Sequence, residues 1–362
     1  MLKQLQQIRE KLEIEKSNSK KFLLSNMYYT LLVNSSEEVK KQEAKYFEQI
    51  ELLLKEYQFY DFLKNDNEIY KDFYTKINKE YTKNKYKYYG LFSENKFKPS
   101  EAKELTYEIL TSMGIDKVKS YERLFCFDDI KYVDLKTCMG NCYNTFNYEK
   151  PNISIDSKIN KQATFLKTYL HELGHEYENT FMSTMSSIQQ IDRYDYCFIE
   201  VMSCFFERVA LDYLIKNDIY KDDAHRELNL NYFDLNDYAE SLYKVSNMAL
   251  SDKIVYDDEY AKIKEIYSLD KDNKPASFIT TYYNYSNDIK YLYGLLLGEY
   301  FFDIYRKDKK EGMTMIRNFL SNQALLDERE MLDLINLKEK DYNFLEYGIN
   351  ENRTYMKKRY KW

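Results

Sequence analysis

The chain has 362 residues, 44% of them hydrophobic and 31% charged, which suits a globular protein long enough to bury a large core. Its formal charge of −6, from 54 basic and 60 acidic residues, argues against a nucleic-acid binder that works through phosphate contacts. With only 8 glycines and 3 prolines there are too few breakers for many tight turns, so an all-β fold is disfavoured and long helices are favoured.

The N-terminal "MLKQLQQIREKLEIEK" is charged throughout and lacks the apolar core of a secretory signal. No run of about 18 apolar residues occurs anywhere, so no membrane span is expected. A cytoplasmic protein with reduced thiols is the expectation for the five cysteines, Cys126, Cys138, Cys142, Cys197 and Cys204. Residues 1–82 alternate charged and apolar positions at helical spacing and predict three or so helices, with Tyr46, Ile50, Leu53, Leu54 and Tyr57 on one stripe. Residues 90–114 read as a loop, a helix start at Pro99 and Ser100, and a helix end near Gly114. A boundary near 84–98 separates an N-terminal helical segment, 1–97, from the rest of the chain, 98–362. Residues 124–158 are rich in β-branched and aromatic residues and predict a small sheet of two or three short strands. From about residue 160 the pattern is helical again. The expected architecture is mainly α, one compact unit with a small β-sheet in its middle.

The chain has three histidines, and two of them lie in "TYLHELGHEYENTF", residues 168–181. His171 and His175 are one turn apart, about 40° around a helix axis, so both imidazoles leave the same face and can reach one ion. Glu172 stays on that side without being forced to coordinate, which suits a base that takes a proton from water at the metal. Two histidines at this spacing are expected by chance only about 0.025 times in a chain of this composition. Leu166, Tyr169, Leu170 and Leu173 supply an apolar stripe that supports the helix with or without metal.

A third ligand is required. His225 lies in "DDAHRELN", which reads as a charged, exposed stretch. The better candidate is Glu200, in the apolar run "DRYDYCFIEVMSCFFERVALDYLIK" (192–216), where a carboxylate is costly unless paired or bound to metal. The competing role for Glu200 is a salt bridge to a basic residue such as Arg193. Glu207 lies two turns further on the same face, placed to hydrogen-bond a liganding histidine and fix its tautomer.

These residues carry a resemblance. "HELGH", followed 25 residues after its second histidine by "EVMSCFFE", is similar to the pattern of the zinc oligopeptidases typified by thimet oligopeptidase, neurolysin and oligoendopeptidase F. His171, Glu172, Gly174, His175, Glu200, Ser203 and Glu207 match, and the bacterial oligoendopeptidase branch is most alike, over about residues 98–350. The resemblance implies a helical gluzincin domain with a small sheet bordering the active-site cleft. It implies one Zn2+ per chain and a zinc endopeptidase acting on short oligopeptides. It places Gly140, Asn141, Cys142 and Tyr143 in a substrate-facing loop. It places Asn152, Ile153 and Ser154 in a strand to which substrate backbone would add as an edge. It assigns oxyanion donors to Tyr291, and to Tyr283 or Tyr285 upstream, where the alternative is core packing in a tyrosine-rich chain. Family members have a histidine ahead of these tyrosines and run to about twice this length; this chain has no histidine there. The short N-terminal part implies a lid or channel wall that is shallower, or is completed by a homodimer or a partner. Two other functions remain open at this stage: a low-activity zinc-containing peptide-binding protein, and a processing protease with one protein target.

Overall fold

A computed structural model describes residues 2–14, 35–43, 59–85, 99–118, 121–135, 140–143, 152–159, 162–182, 196–251, 254–255, 276–323, 328–337 and 339–360, with a few isolated positions besides. The architecture is mainly α. Among the described residues the helices include α1 (Leu2–Ile14), α2 (Phe59–Lys83), α3 (Pro99–Ser112), α4 (Gln162–Met182), α5 (Val201–Lys216), α6 (Lys221–Leu250), α7 (Phe278–Lys307), α8 (Lys309–Asn322), α9 (Glu328–Leu334) and α10 (Phe344–Tyr360). The strands are β1 (Lys131–Val133), β2 (Gly140–Tyr143), β3 (Asn152–Asp156), β4 (Ile254–Val255) and β5 (Ala276–Ser277). Among the described residues no helix is long and apolar enough to cross a membrane.

The chain divides into two compact units. One comprises Met1–Tyr74, Tyr194–Tyr196 and Ala239–Ile289; the other comprises Thr75–Arg193, Cys197–Tyr238 and Lys290–Trp362. In the first, β4 and β5 pair in parallel, and Asn67 donates to the Ser246 hydroxyl at 2.7 Å. The apolar stripe Ile50, Leu53, Leu54 and Tyr57 lies outside the described residues.

The second unit holds the three-stranded sheet, in the order β1-β3-β2. β1 runs parallel to β3 and β2 antiparallel to it, with Asn141 opposite Ser154 and Cys142 opposite Ile153. The two edges of β3 are unequally covered: β2 pairs with Asn152–Ile155 and β1 with Ser154–Asp156, so Ser154 has a partner strand on each edge while Asn152 and Ile153 pair with β2. Successive side chains on a strand face opposite ways, and Ile153 and Ile155 point into the core, 2% and 0% exposed. Ile153 is therefore a packing residue.

α3 ends as its sequence predicts, with Ile115 N–H donating to Leu110 O and Gly114 N–H to Thr111 O. α4 buries Leu166, Tyr169, Leu170, Leu173 and Tyr177 and packs along α5. α5 is buried on every side from Val201 to Asp212, as befits a helix apolar nearly all round. The run 192–216 is not one helix: a 3-10 turn, Tyr196–Phe198, precedes α5, and Glu200 is the residue that caps its start.

Candidate metal centre

The crossing of α4 and α5 builds the site. At Gly174 a Cβ would lie 2.5 Å from Ser203 Cα and 2.6 Å from the Met202 carbonyl oxygen, so only glycine admits so close an approach. The neighbours of Gly174 on α4, His171 and His175, then face the N-terminus of α5, their rings 4.9 Å apart and nearly perpendicular. Glu200 Oε2 stands 3.2 Å from His171 Nε2 and 3.3 Å from His175 Nε2. The three donor atoms lie within 4.8 Å of one another, a group able to hold a metal ion. Two imidazoles and one carboxylate are the donor set of a catalytic zinc site, which keeps a further position for water.

Two of the three donors, His171 and Glu200, are held from behind. Glu207 Oε1 is 2.7 Å from His171 Nδ1, which keeps a proton on Nδ1 and turns Nε2 toward Glu200. Glu207 in turn accepts from Asn231 Nδ2 at 3.2 Å and faces Lys167 Nζ at 3.7 Å, and Lys167 also donates to Asn231 Oδ1 at 2.6 Å. Ser203 Oγ donates to Glu200 Oε2 at 2.9 Å, and Lys290 Nζ stands 3.3 Å from Glu200 Oε1.

The electrostatics follow from this convergence. Burial opposes a charge on His171, yet hydrogen bonds to Glu200 and Glu207 hold its pKa well above the usual histidine value. Burial likewise works against ionised Glu200, but the charge of His175 and the hydrogen bonds from both histidines keep it well below the carboxylate range. For Glu207, burial is outweighed by Lys167 and by the His171 hydrogen bond, and its pKa is lowered. A site that draws positive charge this strongly suits a cation.

Glu172 is buried, 4% exposed, one residue beyond His171. The backbone of β2 lies against it: a Cβ on Gly140 would fall 2.6 Å from Glu172 Oε1. Tyr291, on α7, stacks on Tyr238 with ring centroids 5.9 Å apart. Burial, and then the nearby charge of Glu200, push its hydroxyl pKa up, so it stays protonated as a donor. The structure thus brings His171, His175, Glu200, Glu207, Glu172, Gly140 and Tyr291 into one region. Tyr283 and Tyr285 lie on α7, Asn141, Cys142 and Tyr143 on β2, and Asn152 on β3; their side chains, and Arg193, fall outside the described residues.

His225 is not the exposed residue its charged surroundings suggest. It is 1% exposed, away from the donor group, with Nδ1 2.9 Å from Asn352 Oδ1 and its ring stacked on Tyr355. Sequence reasoning missed Lys290, Lys167 and Asn231. The only local hint was for Lys290, which directly precedes Tyr291; a lone lysine in a polar, tyrosine-rich segment reads as solvated.

No protein-family model and no curated protein matches the chain. Among solved structures, the fold is similar to that of a "putative peptidase from Chlamydophila abortus", at 15% sequence identity and a TM-score of 0.51. The match covers 82% of this chain and 54% of that one, so this chain spans about half the length of that protein. At this identity the likeness is one of fold.

Proposed function

We propose that the chain is a zinc-dependent endopeptidase that hydrolyses peptide bonds in short oligopeptides. The observation that carries this reading is the convergence of His171 Nε2, His175 Nε2 and Glu200 Oε2, with Glu172 buried next to them on the same helix. A zinc ion held by those three donors would supply a Lewis acid that brings the pKa of water to about 7 and polarises a carbonyl.

The remaining work falls to the chain's own side chains. Glu172 takes the proton from the attacking water and delivers it to the departing amine. Glu207 keeps the His171 ring in its orientation through Nδ1. Tyr291, protonated at neutral pH, donates its hydroxyl to the carbonyl oxygen as charge develops there. The substrate main chain runs along β2, whose second edge carries no strand among the described residues. Pairing there reads backbone more than side chains, which suits an enzyme of broad oligopeptide range.

The test is a digest of a mixed peptide library, read by mass spectrometry, with wild type and Glu172→Gln at matched zinc content. Glu172→Gln is expected to keep its metal and to lose about 10²–10⁴-fold in turnover. Equal cleavage by both would remove Glu172 as the base. No cleavage by either, with zinc bound in both, would instead support a zinc-containing peptide-binding protein.

A further inference from the structure

Lys290 is folded into the interior, its side chain 17% exposed, with its ammonium 3.3 Å from Glu200 Oε1 and 4.7 Å over the ring of Tyr291. Gly294 is what delivers it. One turn further along α7, a Cβ on Gly294 would lie 2.7 Å from Glu200 Cβ and 2.9 Å from both Cys204 Sγ and the Glu200 carbonyl oxygen. The missing side chain lets α7 lie directly on Glu200, and residues four apart share a helix face, so Lys290 reaches the same carboxylate. The two oxygens of Glu200 are thereby divided. Oε2 accepts from Ser203 and faces both histidines; Oε1 faces Lys290.

A carboxylate can ligate a metal through one oxygen or through both. In a site with three protein ligands, a second oxygen from Glu200 would occupy the position that water needs. We propose that Lys290 is a positioning residue for the metal centre: by holding Oε1 it restricts Glu200 to one donor oxygen and keeps the fourth coordination position open. This rests on the metal-centre reading above. The alternative role, that Lys290 only neutralises a buried carboxylate and has no bearing on how it ligates, makes a different prediction.

The experiment is substitution with cobalt(II), whose visible absorption is intense in four-coordinate sites and weak at higher coordination number. Wild type, Lys290→Met, Lys290→Gln, Lys290→Arg and Glu200→Ala are loaded with cobalt, and folding of each is checked by its helical circular dichroism. The expected result is an intense band in wild type and Lys290→Arg, and loss of that intensity in Lys290→Met and Lys290→Gln with cobalt still bound one per chain. Folded, cobalt-bound Lys290→Met or Lys290→Gln with the wild-type spectrum would overturn the role of Lys290 and leave the metal centre standing. Wild type that takes up no cobalt, or Glu200→Ala that binds it as wild type does, would overturn the metal centre and the role of Lys290 with it.

Discussion

Gly140 leaves no room for a side chain where β2 meets α4. Of the atoms a Cβ would strike, both at 2.6 Å, Glu172 Oε1 ends a flexible side chain and can swing away, whereas Thr168 Cγ2 belongs to a stiff β-branched side chain and must give with the helix. Gly140→Ala is therefore expected to cost no more than about 1–3 kcal/mol of stability. The swing, however, turns the Glu172 carboxylate out of its place. With Glu172 as the base of the proposed peptidase, a displacement of about 1 Å can cost about 10²-fold, so turnover should fall by that order while metal content holds. Steady-state kinetics beside a thermal melt would check this; unchanged kcat would mean that β2 does not hold Glu172. His171, Glu172 and His175 were legible in the sequence because helical spacing is a local property. Glu200 and Glu207 were legible because a carboxylate in an apolar run demands a partner. Lys290 and Lys167 were not, because the default of a lysine is solvent and only contacts made in three dimensions turn it inward.

Between elements, the decisive contact is α4 on α5. At Gly174, unlike Gly140, an added Cβ meets backbone: Ser203 Cα at 2.5 Å and Met202 O at 2.6 Å. Backbone cannot swing, so the helices must separate, and Glu200 moves away from both histidines. Gly174→Ala is expected to destabilise the fold by about 1–3 kcal/mol and to weaken zinc binding by about 10-fold or more. Urea unfolding and competition with a chromophoric chelator measure the two effects. Loss of stability with undiminished zinc affinity would show that the crossing distance does not set the donor geometry. The same scale separates what sequence reading reaches from what it misses. α3, α4 and the three short strands were readable from periodicity and turn residues. The central place of β3 was not, since strand order is decided by pairing between segments distant in the chain. The start of α5 at Val201 was also hidden, because the apolar pattern continues unbroken through the 3-10 turn before it.

At the scale of the folded molecule, the second unit depends on polar groups sealed between helices. Arg208 of α5 is 2% exposed and meets Glu299 of α7 at 2.7 Å, and Tyr232 of α6 donates to the same carboxylate at 3.0 Å. His225 joins α6 to α10 in the same way, through Asn352 and the ring of Tyr355. Its pKa is pushed down to about 4, chiefly by burial; the Asn352 hydrogen bond and Asp222 oppose this, and the charges of Lys221 and Arg208 add to it. An unfolded histidine titrates near 6.5. Because the folded value is the lower one, the neutral ring favours the folded state fully above about pH 6.5. That advantage is lost as the pH falls from 6.5 toward 4, where the unfolded chain binds a proton that the folded chain refuses. The loss between pH 7 and pH 5 is about 2 kcal/mol, a large share of the stability of a typical domain. The chain holds other titratable groups, so the measurement is a comparison: urea midpoints of wild type and His225→Gln, at both pH values, with chelator present throughout. Wild type should lose about 2 kcal/mol more than His225→Gln over that interval. Equal losses would mean that His225 takes up its proton without leaving the fold and does not carry the acid sensitivity.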